Sequence, residues 1–135
     1  MKARPEMRVV AALIERDGKI LVCQRRAGDR FEFKWEFPGG KVEPDEEPRA
    51  ALQRELQEEL AIDAKIGAEI ARYEYEYPGK KPILLIFYRV DSYDGEPVNQ
   101  VFASMQWTAA RDLPAMDFLD GDIDFVRRLA RSARD

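Results

Sequence analysis

The 135-residue chain contains no histidine and only one cysteine. The absence of histidine removes the commonest general base and every histidine-containing zinc or iron site. Cys23 has no second thiol with which to form an internal disulfide or a CxxC metal site, and its apolar context, ILVC, predicts a buried side chain. Chemistry in this protein therefore depends on carboxylates, basic side chains or a bound ion.

An excess of positive charge is also absent: 22 lysines and arginines are outnumbered by 26 aspartates and glutamates, which gives a net charge of −4. Binding to a nucleic-acid polymer is therefore not expected. Long apolar runs are absent too, since ILLIFY at 83–88 is far shorter than the ~20 residues of a membrane helix. Because residues 1–10 lack signal-peptide features, we expect no membrane contact and a cytoplasmic location, where Cys23 stays reduced.

Strand-like and helical runs are intermixed, which predicts one domain over residues 1–135 with a mixed α/β fold. Asp17-Gly18 marks the tip of a hairpin, and Pro38-Gly39-Gly40 interrupts regular structure. The predicted strands and the final amphipathic helix are at residues 8–15, 19–25, 64–77, 83–90, 104–108 and 122–133.

A helix with an unusual concentration of acid follows the glycine pair. Glu47 or Asp45 is its predicted N-cap, and Pro48 suits its first turn. Its packing ridge is formed by leucines that recur every fourth residue, namely Leu52, Leu56 and Leu60. We therefore expect the helix to dock on the sheet with its acids beside this ridge.

Three glutamates of this helix, Glu55, Glu58 and Glu59, are spaced so that they project from one face. In a last helical turn each acid opposes the helix dipole by roughly 0.3–1 kcal/mol. A solvated acidic face is one explanation for the cluster. The other is a bound cation, because clustered carboxylates beside the backbone of Gly39-Gly40 suit Mg²⁺, with substrate phosphates completing its shell.

The stretch 40–62 resembles the Nudix box of Nudix hydrolases, G-x5-E-x7-R-E-U-x-E-E-x-G-U, in which U is apolar. The matching residues are Gly40, Glu46, Arg54, Glu55, Leu56, Glu58, Glu59 and Ile62. Ala61 stands where the pattern has glycine. The flanking stretches RDGKILVCQR, WEFPGGKVE and YEYEYPG are similar to the MutT-like branch of the family, which removes pyrophosphate from nucleoside triphosphates.

This resemblance implies a Nudix fold, an α/β/α sandwich with a mixed central sheet. It implies further that the three glutamates and the carbonyl of Gly40 hold Mg²⁺, with Mn²⁺ as the alternative ion. Arg54 is expected to orient the glutamates, and Glu46 to support the geometry of the loop and helix. Arg54 and the glutamates are thus the expected catalytic residues, at which water attacks a phosphorus in line and releases a nucleoside monophosphate and pyrophosphate.

Some MutT-like enzymes add a carboxylate from a late loop as a metal ligand or base. Residues 97–111, PVNQVFASMQWTAAR, contain none. Three explanations are open: the glutamate cluster suffices, a neighbour such as Glu96 replaces the missing group, or turnover is slow.

The resemblance also suggests contacts with a nucleotide substrate. Arg26 matches an arginine that approaches the substrate in MutT-like proteins, and Lys41 follows the glycine pair where a phosphate would lie. A solvent-facing charge is the alternative for both. Phe37 and Phe87 are candidates to flank a base, with core packing as the alternative.

Asp122 lies in FLDGDIDFV, where related enzymes place an asparagine or aspartate that reads the base. Its alternative role is the N-cap of the final helix. An ionised aspartate only accepts hydrogen bonds, which favours cytosine, adenine or guanine over thymine and uracil. The expected substrate is therefore an oxidised purine dNTP of the 8-oxo-dGTP type or a CTP-like nucleotide, and the sequence does not decide between them.

Two further functions are open. A Nudix hydrolase of ADP-ribose or of a dinucleoside polyphosphate would use the same box, although the short chain favours a small triphosphate. A catalytically silent Nudix-like module that binds nucleotide or protein belongs to another class, and the intact glutamates argue against it. The sequence allows a monomer or a homodimer.

Overall fold

The computed structural model describes residues 7–133, which form eight strands, two α-helices and two short 3₁₀ segments. The strands are β1 Met7–Leu13, β2 Glu15–Arg16, β3 Lys19–Gln24, β4 Trp35–Glu36, β5 Gly39–Lys41, β6 Asp63–Tyr75, β7 Ile83–Asp94 and β8 Ser104–Ala109. The helices are α1 Pro48–Leu60 and α2 Ile123–Ser132, and the 3₁₀ segments are Ala110–Ala115 and Asp120–Asp122. Within residues 7–133 no helix is long and apolar enough to cross a membrane.

The larger sheet has the strand order β5-β1-β7-β6 and mixes both pairing directions. Its central strands β1 and β7 are parallel, with Met7 opposite Ile83 and Leu13 opposite Arg89. The outer strands β5 and β6 run antiparallel to their neighbours. A second sheet is built on β3, which pairs antiparallel with β2, β4 and β8.

Alternate residues of β1 and β7 face two separate cores, because successive side chains of a strand point to opposite faces of the sheet. The core under α1 contains Val10, Ala12, Leu52, Leu56, Leu60, Ile86 and Tyr88. The core under α2 contains Ala11, Leu13, Leu85, Phe87, Phe125 and Val126. The central sheet thus lies between two helices, and the mixed α/β fold predicted from the sequence is confirmed.

The acidic helix α1 begins as its sequence predicts. The carboxylate of Glu47 accepts a hydrogen bond of 3.1 Å from the N–H of Ala50, and Pro48 occupies the first turn. The helix ends because Ala61 adopts the left-handed conformation, with φ 56° and ψ 34°. That conformation costs an L-residue ~1–2 kcal/mol. The position at which the Nudix box has glycine therefore does require positive φ.

Two local predictions are wrong in detail. The Asp17-Gly18 turn joins β2 to β3, whereas β1 belongs to the other sheet, because the chain changes sheets within one continuous apolar run. Gly39-Gly40 does not interrupt regular structure but forms β5 against β1. Gly39 has φ 156°, and a side chain there would overlap the carbonyl of Val10, so only glycine permits this pairing.

Candidate active site

A cavity of about 680 Å³ brings together segments that are far apart in the sequence. Its wall includes residues of the acidic motif, namely Gly39, Gly40, Lys41 and Glu59. The same wall includes Phe37, Leu119 and Asp122, from outside that motif. Its volume is in the range of small-molecule and cofactor sites. This cavity is the candidate active site.

Glu59 and Glu55 form a carboxyl pair at the end of α1. The N–H of Gly39 donates a hydrogen bond of 3.1 Å to Oε1 of Glu59, and the two carboxyl groups lie within hydrogen-bonding reach of each other. Burial raises the pKa of Glu59 to about 9, and the charges of Glu55 and Glu36 add to the shift. Burial also raises the pKa of Glu55. Without a nearby cation, the two carboxyl groups of this pair therefore do not readily ionise together.

Gly40 lies directly against this pair. A Cβ atom at Gly40 would come within 2.5 Å of Cδ of Glu55 and 2.7 Å of both its carboxyl oxygens. Only the missing side chain of glycine makes room for the carboxyl group at this point. The backbone of β5 and the carboxyl pair of α1 thus form one compact group of oxygen atoms.

Arg54 connects the helix to the preceding loop. It donates hydrogen bonds of 2.9 and 3.0 Å to the two carboxylate oxygens of Glu46, and one of 3.2 Å to the carbonyl of Lys41. It also contacts Glu55 at 3.0 Å and Glu58 at 3.4 Å. The hydrogen bonds from Arg54 lower the pKa of Glu46 to about 2. Arg54 therefore holds Glu46 ionised and fixes one side of the glutamate cluster.

The structure brings together only two of the three predicted metal-binding glutamates. The side chain of Glu58 is 57% exposed and accepts a hydrogen bond of 3.4 Å from the same Arg54 nitrogen that bonds Glu55, without contacting the pair formed by Glu55 and Glu59. Within the described part of the chain, no three acidic or thiol side chains converge closely enough to hold an ion as they stand. Repulsion between three carboxylates favours this separation, because Glu58 reaches both solvent and a guanidinium group.

The last turn of α1 receives amide donors from the segment 97–100. The N–H of Val98 donates to the carbonyl of Leu60 at 2.9 Å, and the N–H of Gln100 donates to the carbonyl of Glu59 at 3.1 Å. The side-chain amide of Gln100 donates to the carbonyl of Glu58 at 2.9 Å. These bonds satisfy carbonyls that would otherwise add to the negative end of the helix. Because these carbonyls are hydrogen-bonded, the adjacent acids Glu58 and Glu59 are tolerated in the last turn of α1.

Asp122 is a buried acid on the cavity wall, only 6% exposed. Burial raises its pKa to about 8, and the charge of Glu36 contributes to the shift. The backbone N–H of Phe37 hydrogen-bonds the carboxyl group and lowers its pKa, which offsets part of this upward shift. Asp122 precedes α2, but its side chain makes no capping hydrogen bond. The alternative of an N-cap role is therefore not supported, and the group is directed to the cavity.

One predicted substrate contact is displaced by one residue. Arg26 is exposed and contacts the carbonyl of Gln100 at 3.5 Å, whereas Arg25 lines the cavity. The backbone of Arg25 continues the pairing of β3 beyond its last residue, because its N–H donates a hydrogen bond of 2.9 Å to the carbonyl of Lys34. Successive side chains of an extended chain point to opposite sides, so only one of the two arginines reaches the cavity.

Two other candidates lie elsewhere. Phe87 is fully buried and stacks on Phe125 with ring centroids 4.1 Å apart, so it belongs to the core under α2 rather than to the cavity wall. Glu96 forms an ion pair of 2.7 Å with Arg16, and its side chain is 71% exposed. It does not line the cavity and does not replace the missing late-loop carboxylate. Phe37 and Lys41, by contrast, do line the cavity.

Sequence reasoning missed Glu36, which also lines the cavity. Its carboxylate accepts hydrogen bonds of 3.2 and 3.3 Å from Arg25, and burial raises its pKa to about 7. The charge of Glu36 raises the pKa of both Glu59 and Asp122, which line the same cavity. No local pattern marked Glu36, because only the tertiary pairing of β3 with β4 sets it opposite the buried Cys23.

Comparison with known proteins agrees with this geometry. A family model described as NUDIX domain matches residues 4–129. The 8-oxo-dGTP diphosphatase of Haemophilus influenzae is 36% identical over 124 residues, which cover 91% of this chain and 90% of that protein. The CTP pyrophosphohydrolase of Escherichia coli is 57% identical over 72 residues, but the match covers only 53% of each chain.

A solved structure of similar shape is the MutT protein from Methanosarcina mazei Go1. It has a TM-score of 0.84 and 25% sequence identity, with all of both chains covered. The match to the family model spans the cavity and all of α1. The chain therefore belongs to the NUDIX domain family and is a Nudix hydrolase with MutT proteins among its structural neighbours.

Proposed function

We propose that this protein is a Mg²⁺-dependent nucleoside triphosphate pyrophosphohydrolase, which converts a nucleoside triphosphate and water into the monophosphate and pyrophosphate. The observation that carries the proposal is a shared wall: Gly40 and Glu59 line the same cavity as Asp122. A nucleotide needs a metal and phosphate region and a base region within one site. This cavity offers both, with Lys41 beside Gly40 as a cation for a phosphate.

The donor set fits a hard divalent ion. Glu55, Glu58 and Glu59, with the backbone of Gly40, supply only oxygen atoms, which suits Mg²⁺ and, as the alternative, Mn²⁺. The contact between Gly40 and the carboxyl group of Glu55 leaves no space for a side chain between backbone and carboxylate oxygens. When bound, the ion neutralises phosphate charge and activates water.

The chain's own residues then divide the remaining tasks. Arg54 orients Glu55 and Glu58 through the hydrogen bonds that it donates to them. Glu59 is the helix glutamate on the cavity wall. Because its pKa of about 9 leaves it protonated at pH 7 without metal, a bound cation would have to hold it ionised, and in that state we assign to it the acceptance of the proton of the attacking water. With residues 97–111 free of carboxylates and Glu96 engaged by Arg16, the glutamate cluster acts without a late-loop acid.

Asp122 is the proposed reader of the base. Because its pKa is raised to about 8, the carboxyl group is neutral at pH 7 and presents one donor and one acceptor. That pair matches N3 and the amine of cytosine, and O6 and N1–H of guanine. It matches uracil as well. The preference against uracil and thymine that the sequence predicts therefore applies only when the carboxyl group of Asp122 is ionised.

The relatives support two substrates, an oxidised guanine dNTP such as 8-oxo-dGTP and CTP or dCTP. The relative that is aligned over nearly its whole length is an 8-oxo-dGTP diphosphatase, whereas the more identical but shorter alignment is to a CTP pyrophosphohydrolase. Removal of oxidised dNTPs would place the protein in DNA repair. Both substrates present an acceptor and a donor to a neutral Asp122.

The test is separation of products formed from CTP, dCTP, UTP, ATP, dGTP, 8-oxo-dGTP and ADP-ribose, with Mg²⁺, with Mn²⁺ and with a chelator. We expect monophosphate and pyrophosphate from 8-oxo-dGTP or CTP, only when metal is present. Glu59→Gln, purified in the same way, serves as the control for contaminating phosphatases. Turnover of ADP-ribose alone would favour the dinucleotide type, and binding without turnover of any nucleotide would favour a silent module.

A further inference from the structure

Two tyrosine hydroxyl groups bind the backbone of the residue before Asp122, on either side of its Cα atom. The hydroxyl of Tyr73 donates a hydrogen bond of 2.7 Å to the carbonyl of Gly121, and the N–H of Gly121 donates one of 3.0 Å to the hydroxyl of Tyr77. Tyr73 lies near the end of β6, and Tyr77 follows two residues after that strand. Both polar groups of Gly121 are thereby engaged by one segment of the larger sheet.

The glycine at this position is closely surrounded. A Cβ atom at Gly121 would lie 2.8 Å from the hydroxyl of Tyr77, 3.3 Å from Cδ1 of Leu85 and 3.4 Å from Cδ2 of Tyr75. Gly121 and Asp122 are both buried in the 3₁₀ segment that leads into α2. The tyrosines therefore hold this segment against the sheet at van der Waals distance.

Asp122 follows Gly121 directly, so the position of its carboxyl group depends on how Gly121 is held. Its side chain makes no capping bond to α2, and its backbone partner is the N–H of Phe37, so the distance between them also depends on how the segment 120–122 is held. Tyr77 lines the cavity, and its ring lies 5.0 Å from that of Phe31, another residue of the wall. Tyr73 does not line the cavity, so its hydroxyl acts on substrate only through the backbone that it holds, at Gly121 and at the N–H of Phe125.

We propose that Tyr73 and Tyr77 are positioning residues that set the distance between Asp122 and the base and thereby determine base selectivity. The inference rests on the proposed function, because it requires a nucleotide whose base meets Asp122. Loss of either hydroxyl group lets the segment 120–122 shift within the cavity wall. A displacement of the order of 1 Å at a positioning group is enough to lower rates by up to ~10²-fold.

The experiment compares Tyr73→Phe and Tyr77→Phe with the matched control Tyr75→Phe. All three remove one hydroxyl group from the same segment and keep the aromatic ring. Among the described residues, the hydroxyl of Tyr75 has no hydrogen-bond partner, so its loss leaves Gly121 held. For each protein, kcat and KM are measured with CTP, UTP, dGTP and 8-oxo-dGTP at pH 7, together with Tm.

We expect each of the two variants to lower the ratio of kcat/KM between the best and the worst triphosphate by roughly 5–20-fold, through a higher KM for the best one. Values of kcat stay within about twofold of wild type, and Tyr75→Phe keeps the wild-type ratio. Because two independent variants probe the backbone of the same residue, Gly121, a folding defect in one leaves the other to decide the question.

An unchanged selectivity ratio with a lower Tm would show that the tyrosines only stabilise the fold, and would overturn the inference. An equal loss of kcat/KM for all four triphosphates would overturn it as well. In both cases a selective wild type leaves the proposed function standing. A wild type that hydrolyses none of the triphosphates removes the proposed function and this inference together.

Discussion

The carboxyl group of Glu55 packs on the Cα atom of Gly40, so closely that a methyl group there would lie 2.5 Å from Cδ. Gly40 itself has no positive φ, in contrast to Gly39. Glycine is therefore needed at position 40 for space and not for backbone conformation. The contact links the spacing of the Nudix box to a physical requirement, since β5 and the last two turns of α1 meet at this point.

Gly40→Ala is expected to reduce activity far more than stability. The new methyl group displaces the flexible carboxyl group of Glu55, which lowers kcat by roughly 10–100-fold, as loss of a positioned metal-site group does. Tm should change little, because the displaced group is the end of a side chain. Steady-state kinetics and thermal unfolding measure the two effects.

Gly28→Ala is the control for this comparison. No heavy atom lies within 4 Å of a Cβ atom at Gly28, but φ is +86°. Alanine there should lose roughly 1 kcal/mol of stability and keep its activity. Full activity of Gly40→Ala would contradict the role of the Glu55 contact.

Glu58→Gln is expected to lower kcat by roughly 10²–10⁴-fold without destabilising the protein. The side chain is largely exposed, so its replacement by an isosteric amide should alter the free energy of unfolding by less than ~0.5 kcal/mol. Kinetics at saturating Mg²⁺ and urea unfolding test this. Glu74→Gln, an exposed position on β6 outside the cavity wall, makes the same charge change and should behave as wild type.

The chelated protein should become less stable as pH rises from about 5 to 9. Burial and neighbouring acids raise the pKa of Glu59 to about 9 and that of Glu36 to about 7, whereas both groups ionise near pH 4.5 in the unfolded chain. Between these values the folded state binds more protons, so stability falls with rising pH. The Tm measured in EDTA at pH 5, 7 and 9 follows this change.

Mg²⁺ should reverse much of that decline, because it stabilises the ionised carboxylates. Glu59→Gln removes one titrating group, and its Tm in EDTA should depend less on pH than that of wild type. A wild-type Tm in EDTA that rises between pH 5 and 9 would contradict the assignment of these buried acids.

Base selectivity should change near pH 8, where Asp122 loses its proton. Below that pH the neutral acid donates to N3 of cytosine. Above it the carboxylate only accepts, so KM should rise for CTP and rise more for UTP, because the amine of cytosine still donates whereas the N3–H of uracil is flanked by two acceptors. Asp122→Asn keeps a donor and an acceptor at every pH, and the ratio of kcat/KM for CTP and UTP should then be constant between pH 6.5 and 9. A pH-independent ratio in wild type would argue against Asp122 as the base reader.

Ala61→Gly should stabilise the protein by roughly 0.5–1 kcal/mol. Glycine avoids the ~1–2 kcal/mol cost of φ 56°, and its greater freedom in the unfolded chain cancels ~0.4–1 kcal/mol of that gain. Urea unfolding measures the change, and activity should be unaffected because Ala61 is exposed and its side chain lies outside the cavity wall. Lower stability of Ala61→Gly would mean that the strain is relieved elsewhere.

Features that depend on neighbouring residues could be predicted from the sequence. The start of α1 at Pro48, with Glu47 rather than Asp45 as its cap, and the ridge of three leucines follow from helix periodicity and from the chemistry of helix ends. The mixed fold followed from the alternation of strands and helices. The resemblance to the Nudix box supplied the glutamates, and the structure adds which two of them are in contact.

Features that depend on tertiary register could not be predicted from the sequence. Whether Arg25 or Arg26 faces the cavity is decided by where the pairing of β3 stops, and a shift of one residue reverses the answer. Phe87 and Phe37 have similar apolar contexts, yet only Phe37 lies where the sheet borders a cavity. Glu36 acquires its importance from two acids distant in sequence, and local patterns carry no information on such contacts.

The amide donors of Val98 and Gln100 make the segment 97–100 an extension of α1. Although it lies at the surface between two strands, its length is constrained as strictly as that of a strand. A single inserted residue would move the N–H donors of Val98 and Gln100 out of hydrogen-bonding register with the carbonyls in the last turn of α1. In hydrogen exchange, the amides of Val98 and Gln100 should open together with the end of the helix, so this stretch and the last turn of α1 form one cooperative unit.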